Sequence, residues 1–417
     1  MSDQSGPRKS LSQDFVLRLI AQAGMLVVGL AQAAVIARWL GPEGKGLLVL
    51  LLWAPGLVCD LFAGFRSAAA WSLGKERFAA ARVVRGLAGL WLVASGVGMV
   101  ATVLAFWAQD LPLPLVALIG GLLYIPAVVS VRYTLALGIG MRWMTLVNRS
   151  QLAFQGFTAA MVIVAIVALD AGPGGVVWAM VVGALFGLAT TPSWVARIAP
   201  IGIRFDLEVL RVLVGKGAVF AVALAMCKLN YRADVLLVQW FMTEADVGLY
   251  AQGVGVIELT LQIPSALAAV IFSHSVAAGD AEAFRQRSRR IVWRAVPLLV
   301  AGALGVCAIA PWFVPLFFGE AFRASVPVIW ALAPGIVAVG VFQLVISEFN
   351  GRGRPEVGLW AALVSLGLNL ALNLWWIPLF GILGAAFASS VSYGVMALWM
   401  WIAQLRSATE LEEPSIS

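Results

Sequence analysis

Apolar residues fill most of the chain in long runs, and short polar segments separate one run from the next. Each run is long enough for a membrane-spanning helix, which needs about 20 predominantly apolar residues. A hydropathy window of about 19 residues resolves these runs. They lie near residues 16–38, 47–71, 86–107, 113–137, 150–169, 175–196, 215–241, 249–274, 292–318, 325–349, 357–377 and 381–404. The pattern therefore predicts an all-α polytopic membrane protein with about twelve transmembrane helices.

The composition agrees with this pattern. Of the 417 residues, 62% are hydrophobic and 12% are charged, a balance that no water-soluble domain of this length shows. The apolar runs and their short connections use nearly the whole chain, which excludes an appended soluble catalytic domain. Cys59, Cys227 and Cys307 each lie inside an apolar run without a CxxC pair. We therefore expect neither a disulfide framework nor a metal site.

The basic residues predict the orientation, because Lys and Arg are retained on the cytoplasmic side of membrane helices. With the N-terminus inside, the cytoplasmic segments hold 20 Lys and Arg residues, and the opposite segments hold only Arg38, Lys45 and Arg323. We therefore expect both termini in the cytoplasm. The net charge of +7 then reflects membrane topology, and no nucleic-acid partner is predicted.

The spans and the polar segments between them predict the domain organisation. The expected parts are a cytoplasmic N-terminal tail (1–14), an N-terminal six-helix half (15–200), a cytoplasmic linker (201–214), a C-terminal six-helix half (215–405) and a cytoplasmic acidic tail (406–417). The first apolar run continues to about Trp39 without an A-x-A cleavage site, so it is predicted as a transmembrane helix rather than a signal peptide.

A short internal repeat supports the two halves. Trp39 and Glu43 lie four residues apart between the first two spans, and Trp240 and Glu244 lie four apart between the seventh and eighth. In both places a Gly-Leu pair then opens the next span. Six spans per half place both halves in the same orientation, so the repeats are parallel. Such halves typically enclose a central substrate site, which favours a transporter.

Three segments resemble the polysaccharide-transporter family, the Wzx-type flippases of the MOP superfamily. The first runs from Ala37 to Gly46 and is similar to the family pattern "aR.LGpeeyG", with Lys45 in place of the usual aromatic residue. The second runs from Asn230 to Asp234 and continues from Glu244 to Tyr250, and the third is Ala310 to Gly319. The same superfamily holds the MATE drug antiporters and the lipid II flippases.

The resemblance implies a MATE-like fold of two parallel six-helix halves around a central cavity, and a function in transport. Members move polyprenyl-pyrophosphate-linked oligosaccharides from the cytoplasmic to the outer leaflet of the bacterial inner membrane by alternating access. The products are O-antigen, capsule or exopolysaccharide. The implied partners are the lipid-linked oligosaccharide, membrane lipids and, as further candidates, a polysaccharide polymerase and co-polymerase.

Four basic residues lie inside the predicted spans, where a charge costs about 2.5 to 3.5 kcal/mol and often marks a pathway. They are Lys228, Arg232, Arg66 and Arg132. Lys228 and Arg232 are four residues apart, so on a helix they would share one face. These residues are the candidates for a basic cavity that binds the pyrophosphate. The alternatives are interhelical ion pairs and, for Arg66 and Arg132, snorkelling to the inner headgroups.

Four carboxylates also lie inside spans: Asp60, Glu258, Asp234 and Glu348. Buried carboxylates can exchange protons near neutral pH. Asp60 and Glu258 occupy the second helix of each half, so they are the leading candidates for coupling to H⁺ or Na⁺. The alternative for all four is a role as counter-ion, and Asp234 is expected to pair with a neighbouring helix. No other cofactor is predicted.

Two further functions stay open at this point. A proton- or sodium-coupled drug antiporter could use the same fold. A membrane-embedded polymerase or ligase is less favoured, because such an enzyme needs a catalytic acid, base or metal site in a sizeable loop. The chain offers one His and only short loops. The sequence therefore predicts a transporter and not an enzyme.

Overall fold

The structure is a computed structural model, and it describes residues 11–74, 78–109, 114–141, 143–190, 206–277, 281–352, 354 and 356–409. Regular structure in these residues is helical throughout. The α-helices are α1 (Leu11–Gly74), α2 (Ala80–Gln109), α3 (Leu115–Gly140), α4 (Met144–Ile163), α5 (Gly172–Thr190), α6 (Leu207–Asn230), α7 (Ala233–Phe241), α8 (Glu244–Ile257), α9 (Gln262–Ala277), α10 (Ala281–Phe318), α11 (Val326–Gly351), α12 (Glu356–Phe380) and α13 (Ile382–Thr409).

Several spans are interrupted rather than continuous. In α1, Gly41 has φ 65° and ψ −175°, a conformation that glycine adopts without steric cost. Glu258–Leu261 forms a 3-10 turn between α8 and α9, Val164–Ala168 forms a π-helical turn after α4, and residues 231 and 232 form a turn between α6 and α7. Such interruptions in a membrane helix often mark functional positions.

Most of the predicted spans coincide with these helices where the chain is described. Within the described residues, ten helical stretches are long and apolar enough to cross a membrane. One of them, Ala23–Phe65, has 43 residues and contains two predicted spans on either side of Gly41. The predicted span 215–241 is split between α6 and α7, which are not among the ten. The total of twelve spans and the orientation of the termini stay predictions.

The helices form two compact units. The first consists of Met1–Leu40 and Leu51–Ala221, and the second of Gly41–Leu50 and Val222–Ser417. We call them unit 1 and unit 2. The sequence assigns residues 41–50 to the N-terminal half, whereas their contacts group them with unit 2. The predicted domain boundaries at 200 and 215 stay predictions.

Each unit has its own buried apolar core, and small residues let its helices approach closely. In unit 1, α3 packs against α2 and α5, and α4 packs against α5. In unit 2, α11 packs against α9, α10 and α13, and α13 also packs against α12. A side chain at Gly335 would lie 2.6 Å from the Cα atom of Ser390. Close backbone approach through small residues is the usual way in which membrane helices associate.

The two glycines of the internal repeat contact each other's segments. A Cβ atom at Gly46 would lie 1.8 Å from the Glu244 carbonyl oxygen, and one at Gly248 would lie 1.9 Å from the Pro42 carbonyl oxygen. Both glycines are therefore required, because any side chain would collide with the opposite backbone. Beside this crossing, Lys45 donates to the Gln252 side chain. Its ammonium lies 5.9 Å and 5.5 Å from the ring centres of Phe318 and Phe322.

Candidate functional site

The candidate residues fall into both units, and the structure gives them different partners. Unit 1 contains Asp60, Arg66 and Arg132, whereas unit 2 contains Lys228, Arg232, Asp234, Glu258 and Glu348. The side chain of Arg66 lies outside the described part of the chain, so its predicted role stays a prediction.

In unit 1, Asp60 and Arg132 form an ion pair between α1 and α3. The Arg132 Nη1 atom lies 2.8 Å from Asp60 Oδ1 and also donates to the Cys59 carbonyl oxygen at 2.7 Å. The Asp60 side chain is 13% exposed and that of Arg132 is 29% exposed. Each charge therefore has a partner of opposite sign in a poorly solvated place. This geometry favours the counter-ion alternative for Asp60 over ion coupling.

Glu348 is also held by a cation. Its carboxylate is fully buried near the end of α11, and its Oε1 atom lies 2.5 Å from Arg352 Nη2, one helical turn further on. Gln404 of α13 donates to Oε2 at 2.7 Å. Arg352 lies at the C-terminal end of α11, where a positive charge is favourable. The geometry favours the counter-ion alternative here as well.

Lys228 and Arg232 do not share a helix face, so that part of the sequence interpretation is wrong. Helix α6 ends at Asn230, and Arg232 has φ −131° and ψ −10°, outside helical geometry. The Asn230 side chain is buried and donates to Ser365 Oγ at 2.8 Å, and asparagine is a poor residue for the interior of a helix. The two cations nevertheless both act electrostatically on Glu258.

Asp234 is bound by neutral groups. It is 1% exposed, at the start of α7. The Tyr250 hydroxyl of α8 donates to its Oδ2 atom. Ser389 Oγ of α13 donates to the same oxygen at 3.0 Å, and the Val235 amide donates to Oδ1 at 2.9 Å. Within the described residues, Asp234 forms no ion pair. The predicted pairing with a neighbouring helix is thus a set of hydrogen bonds instead.

A network of small polar residues surrounds Asp234, and the sequence interpretation missed it. Asn369 Nδ2 of α12 lies 3.2 Å from the hydroxyl oxygens of both Ser389 and Ser392, and Asn373 Nδ2 donates to the Asn369 carbonyl at 2.9 Å. All of these side chains are fully buried. Ser365, Asn369 and Asn373 are spaced four residues apart, so the sequence did contain a polar stripe on one helix face.

Glu258 borders a narrow cavity in unit 2. The cavity has a volume of about 10 Å³, enough for roughly one water molecule. Its lining includes Glu258, Tyr231, Tyr250 and Tyr393 together with apolar side chains of α8 and α11. Tyr231 and Tyr393 meet edge to face, with ring centres 5.3 Å apart. Within the described residues, Glu258 has no hydrogen-bond partner, which distinguishes it from the other three carboxylates.

In the described part of the chain, no three His, Cys, Asp or Glu side chains come together as a metal site would require. The polar residues of unit 2 offer oxygen atoms to a proton or a hard cation.

Comparison with known proteins identifies the family. A model of the family described as "Polysaccharide biosynthesis protein" matches residues 35–327. The chain belongs to this family.

Two archaeal relatives match shorter segments. A protein of Haloferax volcanii described as a probable low-salt glycan biosynthesis flippase is 25% identical over 166 residues, which are 39% of this chain and 35% of that protein. An uncharacterized membrane protein of Methanocaldococcus jannaschii is 29% identical over 98 residues, which are 24% of this chain and 18% of that protein. The chain thus spans about a third or less of these relatives.

Solved structures match almost the whole chain. A multidrug resistance MATE family transporter of the MOP superfamily aligns with a TM-score of 0.80 at 15% identity, covering 94% of this chain and 96% of its own. The lipid II flippase MurJ aligns with a TM-score of 0.75 at 11% identity, covering 93% and 87%. The predicted MOP-like, all-α membrane fold and the family resemblance are therefore confirmed. The protein is a multi-pass membrane protein.

Proposed function

We propose that this polysaccharide biosynthesis protein is a transporter that flips polyprenyl-pyrophosphate-linked oligosaccharides from the cytoplasmic to the outer leaflet of the bacterial inner membrane by alternating access. One observation carries the proposal: a chain of the polysaccharide biosynthesis family has the fold of MOP transporters along more than nine-tenths of its length. Its direct partners are then the lipid-linked oligosaccharide and the surrounding lipids. A polymerase and co-polymerase are proposed as further partners.

Lys228 and Arg232 are the proposed contacts for the pyrophosphate. The head group carries at least two negative charges, whose transfer into the membrane is costly without cations. Arg132 already forms an ion pair with Asp60 at 2.8 Å, so its positive charge is less available to a bound anion. Lys228, in contrast, forms no ion pair within the described residues. Both Lys228 and Arg232 lie near the turn between α6 and α7, where the backbone is not continuous helix.

Ion coupling is proposed at Asp234 and Glu258 of unit 2. Arginine side chains hold Asp60 and Glu348, whereas hydroxyl and amide groups hold Asp234. A buried carboxylate bound by neutral groups alone, as Asp234 is within the described residues, is costly. Binding of H⁺ or Na⁺ removes that cost. This contrast in partners supports the assignment of coupling to unit 2.

A deletion strain tests the function. It is scored for surface polysaccharide and for lipid-linked repeat units trapped in the cytoplasmic leaflet. We expect loss of polymer with accumulated cytoplasmic-leaflet precursor. Loss of polymer with precursor that reaches the outer leaflet would instead assign a polymerase or ligase.

The double variant Lys228→Gln/Arg232→Gln tests the proposed contacts. We expect it to fail in restoring export to the deletion strain at an unchanged protein level. Arg82→Gln is the matched control, because Arg82 bonds Asp206 and Glu208 instead. Full export by the double variant would remove both residues from the cargo site.

The similarity to a MATE transporter with a TM-score of 0.80 keeps a drug antiporter as the second candidate. Expression in a drug-sensitive host measures this directly. Raised resistance to cationic drugs, together with normal surface polysaccharide in the deletion strain, would replace the flippase proposal.

A further inference from the structure

Two carboxylates of unit 2 share one set of neighbours. Asp234 on α7 accepts a hydrogen bond from Tyr250, and Tyr250 also lines the cavity next to Glu258 at the 3-10 turn. Two of the side chains that line the cavity next to Glu258, Tyr250 and Tyr393, are also neighbours of Asp234. The proposed function assigns ion coupling to both carboxylates. The side chains between them provide a possible connection for a proton.

Tyr393 lies on α13 four residues after Ser389, so the two side chains share one face of this helix. The Tyr393 side chain is 5% exposed and borders the water-sized cavity together with Glu258. Ser389 Oγ in turn lies 3.0 Å from Asp234 Oδ2. Side chains with hydroxyl groups thus follow one another from the cavity to Asp234.

The other two tyrosines occupy different places. Tyr250 donates its hydroxyl proton to Asp234, so it holds this carboxylate in position. Tyr231 faces Glu258 and Cys227. The remaining charged groups that act on Glu258 are Lys228 and Arg232. Within the described residues, Tyr231 forms no hydrogen bond with Asp234 or Ser389, so it is the matched control.

We infer that Tyr393 and Ser389 relay a proton between Glu258 and Asp234. Glu258 releases its carboxylic proton to the Tyr393 oxygen through one water in the cavity. Tyr393 passes its own hydroxyl proton to Ser389 Oγ, and Ser389 passes its hydroxyl proton to Asp234 Oδ2. One proton has then moved from one carboxylate to the other, and both hydroxyl groups are restored. The reverse transfer uses the same atoms.

The relay would connect the ion-coupling site to the cargo site. This connection rests on the proposed function. A pyrophosphate at Lys228 and Arg232 brings negative charge next to the Glu258 carboxylate. Like charges at short range are unfavourable, and a proton delivered from Asp234 relieves this repulsion. Cargo binding at Lys228 and Arg232 thereby changes the protonation of Asp234.

Time-resolved infrared spectroscopy after a pH jump tests the relay on the full-length protein in a lipid bilayer. The carboxyl bands of Asp234 and Glu258 are assigned by their loss in Asp234→Asn and Glu258→Gln. In Tyr393→Phe we expect the Asp234 band to appear roughly 100-fold more slowly, the size of effect that a positioned proton-transfer group supplies. Tyr231→Phe, the matched control, should leave the rate unchanged.

The relay is overturned if the Asp234 band forms at the wild-type rate in Tyr393→Phe, if Tyr231→Phe slows it equally, or if neither carboxyl band titrates. Should Tyr393→Phe not fold, Glu258→Gln replaces it, because removal of the first carboxylate must slow Asp234 to a similar extent. Addition of undecaprenyl pyrophosphate should shift the Glu258 band in wild-type protein.

The pH-jump measurement requires no glycan, so its failure leaves the flippase assignment standing. Conversely, normal surface polysaccharide in the deletion strain would remove the flippase assignment while a slowed Asp234 band kept the relay.

Discussion

Unit 1 and unit 2 each bury an aspartate, and they stabilise its charge in opposite ways. Asp60 of unit 1 meets the guanidinium of Arg132 at 2.8 Å. Asp234 of unit 2 meets a tyrosine hydroxyl, a serine hydroxyl and a backbone amide. Unit 2 also contains a fully buried carboxylate with a cationic partner, since Glu348 pairs with Arg352 at 2.5 Å. The neutral surroundings of Asp234 are therefore a local property and not a general feature of unit 2.

The two aspartates illustrate two uses of charge in one fold. The Asp60 carboxylate holds two helices together, whereas the Asp234 carboxylate is proposed to exchange a proton. A paired buried charge is strongly destabilising to break, so the Asp60–Arg132 pair fixes α1 to α3. A carboxylate held by hydroxyl groups can bind and release a proton while its hydrogen bonds rearrange. The second arrangement is therefore the one that we propose for ion coupling.

The largest expected effect comes from Asp234→Asn. Asparagine keeps one side-chain oxygen, which can accept from Tyr250 and Ser389, while its NH2 group meets the Val235 amide. We therefore expect normal protein levels and only a modest loss of thermal stability. Export should nevertheless fall to background, because the amide cannot titrate. Complementation of the deletion strain measures export, and a thermal unfolding scan in detergent measures stability. Full export by this variant would contradict the assignment of coupling to unit 2.

Arg132→Met should mainly affect folding. Removal of the guanidinium leaves the Asp60 carboxylate, which is 13% exposed, without its Arg132 partner. The loss of one partner costs about 3 kcal/mol in comparable pairs. The double variant Asp60→Asn/Arg132→Met should recover most of this loss, and a double-mutant cycle of unfolding free energies measures the coupling. If both single variants keep wild-type stability but lose export, Asp60 and Arg132 would belong to the transport site.

Ser389→Ala should give a smaller loss of stability. It removes one hydrogen bond to a charged group, worth about 1.5 to 3 kcal/mol, while Tyr250 and the Val235 amide still bond Asp234. The unfolding free energy checks this. A control is Ser347→Ala, since within the described residues the Ser347 hydroxyl bonds only the Gln343 carbonyl of its own helix, at 2.6 Å. Equal losses in both variants would mean that Ser389 makes no special contribution.

The smallest effect is expected for Arg82→Gln, outside the buried charges. Arg82 hydrogen-bonds Asp206 at 2.6 Å and, with the Val209 amide, lowers the pKa of this carboxyl from 3.8 to about 2. A lowered pKa stabilises the fold above pH 3.8, and this contribution disappears as the pH falls towards about 2. The difference in thermal midpoint between wild type and variant should therefore vanish over that range. The Arg82 guanidinium carbon also lies 5.2 Å from the centre of the Phe78 ring. A pH-independent difference in thermal midpoint would assign the effect to this lost packing.

Much of the fold could be predicted from the sequence because a membrane imposes simple rules on it. A span needs length and apolar composition, and both are visible in one dimension. The short internal repeat could also be recognised in the sequence, but the structural reason for its two glycines could not. Only the structure shows that Gly46 and Gly248 each lie against the other segment's backbone, where a Cβ atom would be within 2 Å of a carbonyl oxygen.

The candidate site was predicted less completely. The charged residues inside the membrane could be identified from the predicted spans. Their placement on one helix face, however, required an unbroken helix through Lys228 and Arg232. The chain leaves helical geometry at Tyr231, where buried Asn230 bonds Ser365 of a helix far along the sequence. The sequence does not distinguish uncharged residues such as Tyr393 and Ser389, because a hydroxyl group inside a span is common and its role depends on its neighbours in space.

The sequence by itself determined that this is a multi-pass membrane protein of the polysaccharide biosynthesis family, since hydropathy and local motifs require no knowledge of distant contacts. The tertiary structure decided which buried charges are neutralised. Asp60 meets Arg132 across 72 residues of sequence, and Asp234 meets Ser389 across 155. Electrostatic interactions between such groups depend on distances of a few ångströms, and those distances exist only once the helices have packed.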